Sequence, residues 1–175
     1  MTSTPTPGLT WFNTAEESAA RAALAEVCAS SAWGSGVLSR RPYADPAALF
    51  AASDAAMAEL TAEDLAEAMA AHPPIGRPKP GDPASAREQR GMSGASEELR
   101  AEMLELNLAY QERFGHVFLI CATGLSGEQM RDALRERLGN PPERERENVR
   151  DELVKINRIR LTRLAREAPA AHEGA

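Results

Sequence analysis

Hydrophobic residues along this chain recur mainly at spacings of three and four, the period of a helix with one buried face. Ala20, Leu24, Val27 and Cys28 make one stripe, and Leu49, Phe50, Met57 and Leu60 a second. Leu65 and Met69 make a third, with His72 at the next inward position. Leu99, Met103, Leu106 and Tyr110 form a fourth, Met130, Leu134 and Leu138 a fifth, and Val149, Leu153, Ile156 and Leu164 a sixth. Helix starts are marked by Thr14 with Glu17, Asp45 with Pro46, Thr61, Ser96, Ser126 with Gln129, and Asn140 with Pro141. Stops are marked by Gly115 and Gly139. These signals predict an all-α fold, a single-domain helical bundle over residues 11–168. A mobile Pro/Ser/Thr tail is expected over 1–10 and a second tail over 169–175. Trp33, among small residues, is expected as a core anchor.

One run departs from helical spacing. Residues 116–122, HVFLICA, lie between glycines and read as a short buried extended segment. No second comparable run exists to pair with it. Its backbone N–H and C=O groups therefore need other partners, and a polar small molecule would be one.

Composition narrows the class. The chain has 175 residues, enough for one domain with a real core, and aromatics are only 5%. The formal net charge of −6 would repel a nucleic-acid backbone. The mixed run RERLGNPPEREREN reads as a solvated surface laced with ion pairs. Cys28 and Cys121 stand far apart and outside any C-x-x-C pattern, which points to a reducing, cytoplasmic setting rather than to a disulfide or zinc. Neither a secretory leader nor an apolar run long enough for a membrane is expected.

The chemistry concentrates around His72. Thr61 caps the preceding helix, and Pro73 and Pro74 forbid its continuation, so the imidazole is expected at the edge of a core beside a stiff loop. There a histidine is partly desolvated without being sealed and can trade a proton near neutral pH. Five prolines in residues 73–84 stiffen the loop. Ser85, Ala86, Arg87, Glu88 and Gln89 follow, offering a hydroxyl, a carboxylate and a carboxamide. The same residues also fit a plain capping box of Ser85 and Glu88. GMSGAS, after them, follows no strand and lacks the Gly-Lys-Ser/Thr ending of a phosphate loop, so its glycines read as turn residues.

HPPIG at residues 72–76, SAREQ at 85–89, LNLAYQERFGHVFLICATG at 106–124 and INRIRLTRL at 156–164 are similar to the 2-oxo-4-hydroxy-4-carboxy-5-ureidoimidazoline (OHCU) decarboxylases of urate breakdown. Phe12 and Asn13, the CASSAW run at 28–33 and the RPY run at 41–43 extend the resemblance across residues 11–164. It implies an all-helical, cofactor-free carboxy-lyase with no metal, acting on the small molecule OHCU to give (S)-allantoin, and a homodimer. It implies His72 as the proton donor, with Glu88 as its partner in catalysis. Implied substrate contacts are Pro73, Ser85, Ala86, Arg87, Glu88, Gln89, Phe118, Leu119, Ile120, Cys121, Ala122 and Arg160. The chain departs at Thr123, where many relatives carry arginine.

Two other readings remain open on sequence: an acid–base lyase or isomerase acting on another small heterocycle, and a non-enzymatic helical interaction module in which His72 is structural. His116 and His172 carry no role in any of these.

Overall fold

The computed structural model describes residues 6–78 and 80–169, over which nine α-helices and no strand are present. Packing gathers the chain into two compact units within the span expected as one domain: Met1–Ala68 with Val154–Ala175, and Met69–Leu153.

The first unit contains α1 (Pro7–Thr14), α2 (Glu17–Val27), α3 (Ser31–Leu38), α4 (Pro46–Ala58), most of α5 (Ala62–Ala70) and the C-terminal part of α9 (Pro142–Arg166). Helix α1 lies partly in the stretch expected as a tail. Pro7 stands in its first turn, and Leu9 and Phe12, three apart, are fully buried, which outweighs the turn-forming composition around them. The helix start expected at Thr14 with Glu17 is corrected. Thr14 closes α1, its hydroxyl donating back to the Thr10 carbonyl at 3.0 Å, and α2 begins at Glu17 without a side-chain cap. Asp45 caps α4 as its pairing with Pro46 predicts, accepting from the Ala48 N–H at 2.8 Å. Thr61 and Asp64 cap α5 reciprocally, at 3.2 and 3.0 Å. Trp33 is fully buried, and its indole N–H donates to Ser53 Oγ at 3.1 Å.

The second unit contains α6 (Pro83–Glu88), a 3₁₀ turn over Arg90–Met92, α7 (Glu97–Phe114), α8 (Gly127–Leu138) and the N-terminal part of α9. Ser96 caps α7, and Gly115 ends it with φ 79°, the left-handed conformation that a side chain resists. Ser126 and Gln129 form both bonds of the capping box on α8. Helix α7 packs on α8, and Met92, Leu99, Met103, Tyr110, Phe118, Met130 and Leu134 close the core.

Gly91 is more than a turn residue. A Cβ there would collide with the backbone carbonyl of Leu125, whereas one on Gly94 would meet open space. Gly91→Ala is expected to destabilise by about 1–3 kcal/mol, because backbone cannot move aside as a side-chain end can. Gly94→Ala should be nearly neutral, and urea titration of the two variants makes the comparison.

Candidate active site

The residues singled out around the histidine gather in the unit Met69–Leu153. Helix α5 ends at Ala70, two residues before His72, although the His72 N–H still donates to the Met69 carbonyl at 3.0 Å. Leu65 and Met69 are buried while His72 is half-buried. An imidazole so placed combines a fixed backbone with access from solvent. Pro73, Pro74 and Gly76 are also half-buried, and Ile75 inserts into the core.

The cap of α6 differs from expectation. Asp82 accepts from the Ala84 N–H at 3.1 Å with Pro83 at N1, so Ser85 is not the N-cap and the Ser85/Glu88 capping box is replaced by an Asp-Pro start. The same Asp-Pro signature opens α4, and could have been read here too. Ser85 lies inside the helix, 1% exposed, its hydroxyl donating to the Asp82 carbonyl at 3.2 Å. Glu88 is half-buried, Ala86 and Arg87 are exposed, and Gln89 is buried at the C-cap. Asp82→Ala should cost about 1 kcal/mol in stability, as for other N-cap deletions, measured by thermal unfolding.

The Gln89 carboxamide spans the loop after His72. Its Oε1 accepts from the Gly76 N–H at 2.9 Å, and its Nε2 donates to the carbonyls of Pro74 and Pro73 at 3.1 and 3.4 Å. From α7, Asn107 Nδ2 donates to the Ile75 carbonyl at 3.0 Å.

Residues 117–122, within the 116–122 run expected as extended, lie outside any helix or strand. Phe118, Leu119 and Ala122 are buried, and Ile120 and Cys121 are half-buried. Part of the backbone demand is met by side chains. The Glu152 carboxylate accepts from the Cys121 N–H at 3.0 Å, and Arg137 Nη1 donates to the Leu119 carbonyl at 2.6 Å. His116 packs edge-on to Tyr110, ring centroids 5.5 Å apart.

Behind this segment lies a polar cluster that the sequence analysis assigned to solvated surface. Glu145 is fully buried. Its Oε1 accepts from the Tyr110 hydroxyl at 2.6 Å and Arg137 Nε at 2.8 Å, and its Oε2 from the amides of Asn148 at 2.6 Å and Asn140 at 3.0 Å. Burial pushes the carboxyl pKa up, but the Asn140, Tyr110 and Asn148 donors and the Arg137 charge outweigh it, leaving Glu145 below the usual glutamate value. Burial and the same hydrogen bond raise the Tyr110 phenol, which stays a donor. The Arg137 guanidinium also stacks over the Phe118 ring, 4.7 Å from its centroid. A signal was present: Glu145 lies four residues before Val149, on the same inward stripe.

Arg160 belongs to the other unit, where its Nη1 donates to the Val27 carbonyl at 3.0 Å and, at 3.5 Å, to that of Glu26, in the last turn of α2. Arg158 pairs with Asp54 at 2.8 Å. Cys28 is a buried thiol whose pKa burial pushes up. His172 lies outside the described residues. Among those residues no group of His, Cys, Asp and Glu could hold a metal ion, and no helix is long and apolar enough to cross a membrane.

The family model for OHCU decarboxylase matches residues 13–162. The chain belongs to the OHCU decarboxylase family. It is 30% identical over 144 residues to the uric acid degradation bifunctional protein TTL of Arabidopsis thaliana, an alignment covering 78% of this chain and 44% of that protein. It is 43% identical over 72 residues to the 2-oxo-4-hydroxy-4-carboxy-5-ureidoimidazoline decarboxylase of Amia calva, covering 41% of each. The chain thus matches less than half the length of each of these curated relatives. Among solved structures, an OHCU decarboxylase crystallised in the presence of (S)-allantoin superposes with a TM-score of 0.75 at 26% identity, covering 87% of this chain and 99% of that one. A structure of (S)-allantoin synthase superposes with a TM-score of 0.68 at 16% identity, covering 89% of this chain and 53% of the other, a likeness of fold alone. Thr123 is exposed, in the turn that follows residues 117–122.

Proposed function

We propose that this protein is a cofactor-independent carboxy-lyase that converts OHCU to (S)-allantoin during urate degradation. The observation that carries the reading is the half-buried His72 at the head of a clamped loop, in one compact unit with the Ser85, Glu88 and Gln89 run and the extended segment at 117–122. Membership of the family and the names of the relatives support the same substrate.

In the proposed reaction the substrate carboxylate leaves as carbon dioxide, and its bond pair passes into the neighbouring C=N. The ureido-bearing carbon then takes a proton, and the hydroxyl-bearing carbon becomes the ring carbonyl. His72 delivers that proton to one face, which makes the product a single enantiomer. General acid help of this kind is typically worth ~10²–10⁴ in rate. Glu88 binds the ring hydroxyl or N–H and orients His72, and its charge disfavours the substrate carboxylate over the neutral product. Pro73, Ser85, Ala86, Arg87 and Gln89 border the substrate, and Phe118, Leu119, Ile120, Cys121 and Ala122 form the wall that meets its polar edge. We place the enzyme in the cytoplasm, where Cys28 and Cys121 remain thiols, and as a homodimer, which light scattering tests.

The deciding experiment makes OHCU in situ from urate with the two preceding activities, adds the protein, and follows allantoin by circular dichroism. Rapid optically active allantoin supports the reading. Only the slow racemic background, with well-folded protein, would sink it.

A further inference from the structure

In the unit Met69–Leu153, four consecutive residues after His72 send a backbone polar group to a carboxamide. The carbonyls of Pro73 and Pro74 and the N–H of Gly76 end on Gln89, and the carbonyl of Ile75 ends on Asn107. Pro73 and Pro74 have no N–H with which to order themselves. Besides these bonds, the loop is held by Arg77 N–H to the Pro74 carbonyl and by His72 N–H to the Met69 carbonyl, each at 3.0 Å. Gly76 turns the chain at φ 91°, where its N–H meets Gln89.

We infer that Asn107 is a positioning residue that, together with the Gln89 amide, fixes the loop bearing His72, so that its proton reaches the substrate from one direction. This rests on the reading of His72 as the proton donor.

Asn107 makes a poor choice for the fold alone. It lies on the buried stripe of α7 between Met103 and Tyr110, is 7% exposed, and its Oδ1 is buried without a hydrogen-bond partner. Leucine would fill that stripe and remove the unpaired Oδ1, but it would leave the Ile75 carbonyl without this bond. What asparagine adds is the bond to Ile75, and a local rule broken in a core is expected where function needs it. Gln89, 6% exposed, has both ends of its amide engaged on the loop, and those bonds assign its oxygen to Gly76 and its nitrogen to the prolines. A loop loosened here displaces the imidazole, and a misplacement of about 1 Å can cost ~10²-fold in rate.

The test measures kcat, KM and melting temperature for Asn107→Leu, Gln89→Met and the double variant, together with hydrogen exchange at the Gly76 amide without substrate. Asn107→Leu is expected to hold the melting temperature within a few degrees of wild type while lowering kcat about 10- to 100-fold. KM should stay within about twofold, because the lost interaction is not with substrate. Gln89→Met should lower kcat and speed exchange at Gly76, and the double variant should lose less than the product of the two. Unchanged kcat in either folded variant, or a raised KM with kcat intact in Asn107→Leu, would overturn the inference. Each variant reaches the loop from a different element, so one lost to misfolding leaves the other to decide. If the wild type does not turn over OHCU, the decarboxylase reading fails by itself. Gly76 exchange and the His72 ring resonances then decide the positioning: moved in the variants they uphold it, unmoved they overturn it.

Discussion

His72→Asn is expected to reduce the rate of OHCU decarboxylation by about 10²–10⁴-fold, the usual contribution of a positioned general acid. Asparagine keeps a polar group at a half-buried position, and Gln89 and Asn107 hold the loop behind it. With those bonds in place the backbone that presents residue 72 should persist, with a melting temperature within a few degrees of wild type. The loss should fall on kcat and on the optical purity of the allantoin together, because any remaining protonation comes from water on either face. The rival in which His72 is structural makes the opposite prediction: a lower melting temperature and no selective loss of enantiomer. Circular dichroism of the product and differential scanning calorimetry of the protein separate the two.

The largest effect on stability is expected from Glu145→Leu, about 3–5 kcal/mol, read by urea denaturation. The substitution leaves the Arg137 guanidinium, itself 8% exposed, without its counter-charge, and removes the acceptor for Tyr110, Asn140 and Asn148 at once. Its consequence should also reach the wall at 117–122, since Arg137 holds the Leu119 carbonyl and covers the Phe118 ring. The pH dependence has a defined sign. The folded-state pKa of Glu145 is depressed, so its stabilisation is present above the unfolded glutamate value of 4.5 and is lost as pH falls through the lower folded value. Wild-type stability should decline below about pH 4.5 on this account. In Glu145→Gln that component of the acid slope should be missing, and a slope identical to wild type would show that Glu145 is not a source of it.

Some expectations were legible because they rest on neighbours in sequence. The Asp45-Pro46 start, the Thr61 cap, the Ser126/Gln129 box and the Gly115 stop all concern groups within a few residues of one another, and each formed. The inward stripes through Leu24, Leu49, Leu65, Met103, Met130 and Leu153 were legible for the same reason, a periodicity that any buried helix face imposes. The extended run 117–122 stood out because it lacked that period. Errors arose where two local signals competed. Asp82 and Ser85 both qualify as caps, and only the actual path of the loop selects Asp82. Proline and threonine near the start read as a tail, yet Leu9 and Phe12 find a core to enter.

The sequence by itself determined the helical class, most helix ends, the family and the place of His72 beside a stiff loop, because periodicity, capping and motif order are local properties of the chain. Only the tertiary structure decided which polar residues leave solvent. Glu145 and Arg137 look like surface charges in an acidic and basic run, and Asn107 looks like an interruption in an apolar stripe. Each is buried because partners 8 to 35 residues away in sequence meet it with a matching donor or acceptor. A charge can leave water only when such partners are brought to it, and no pattern read along the chain states whether they will be.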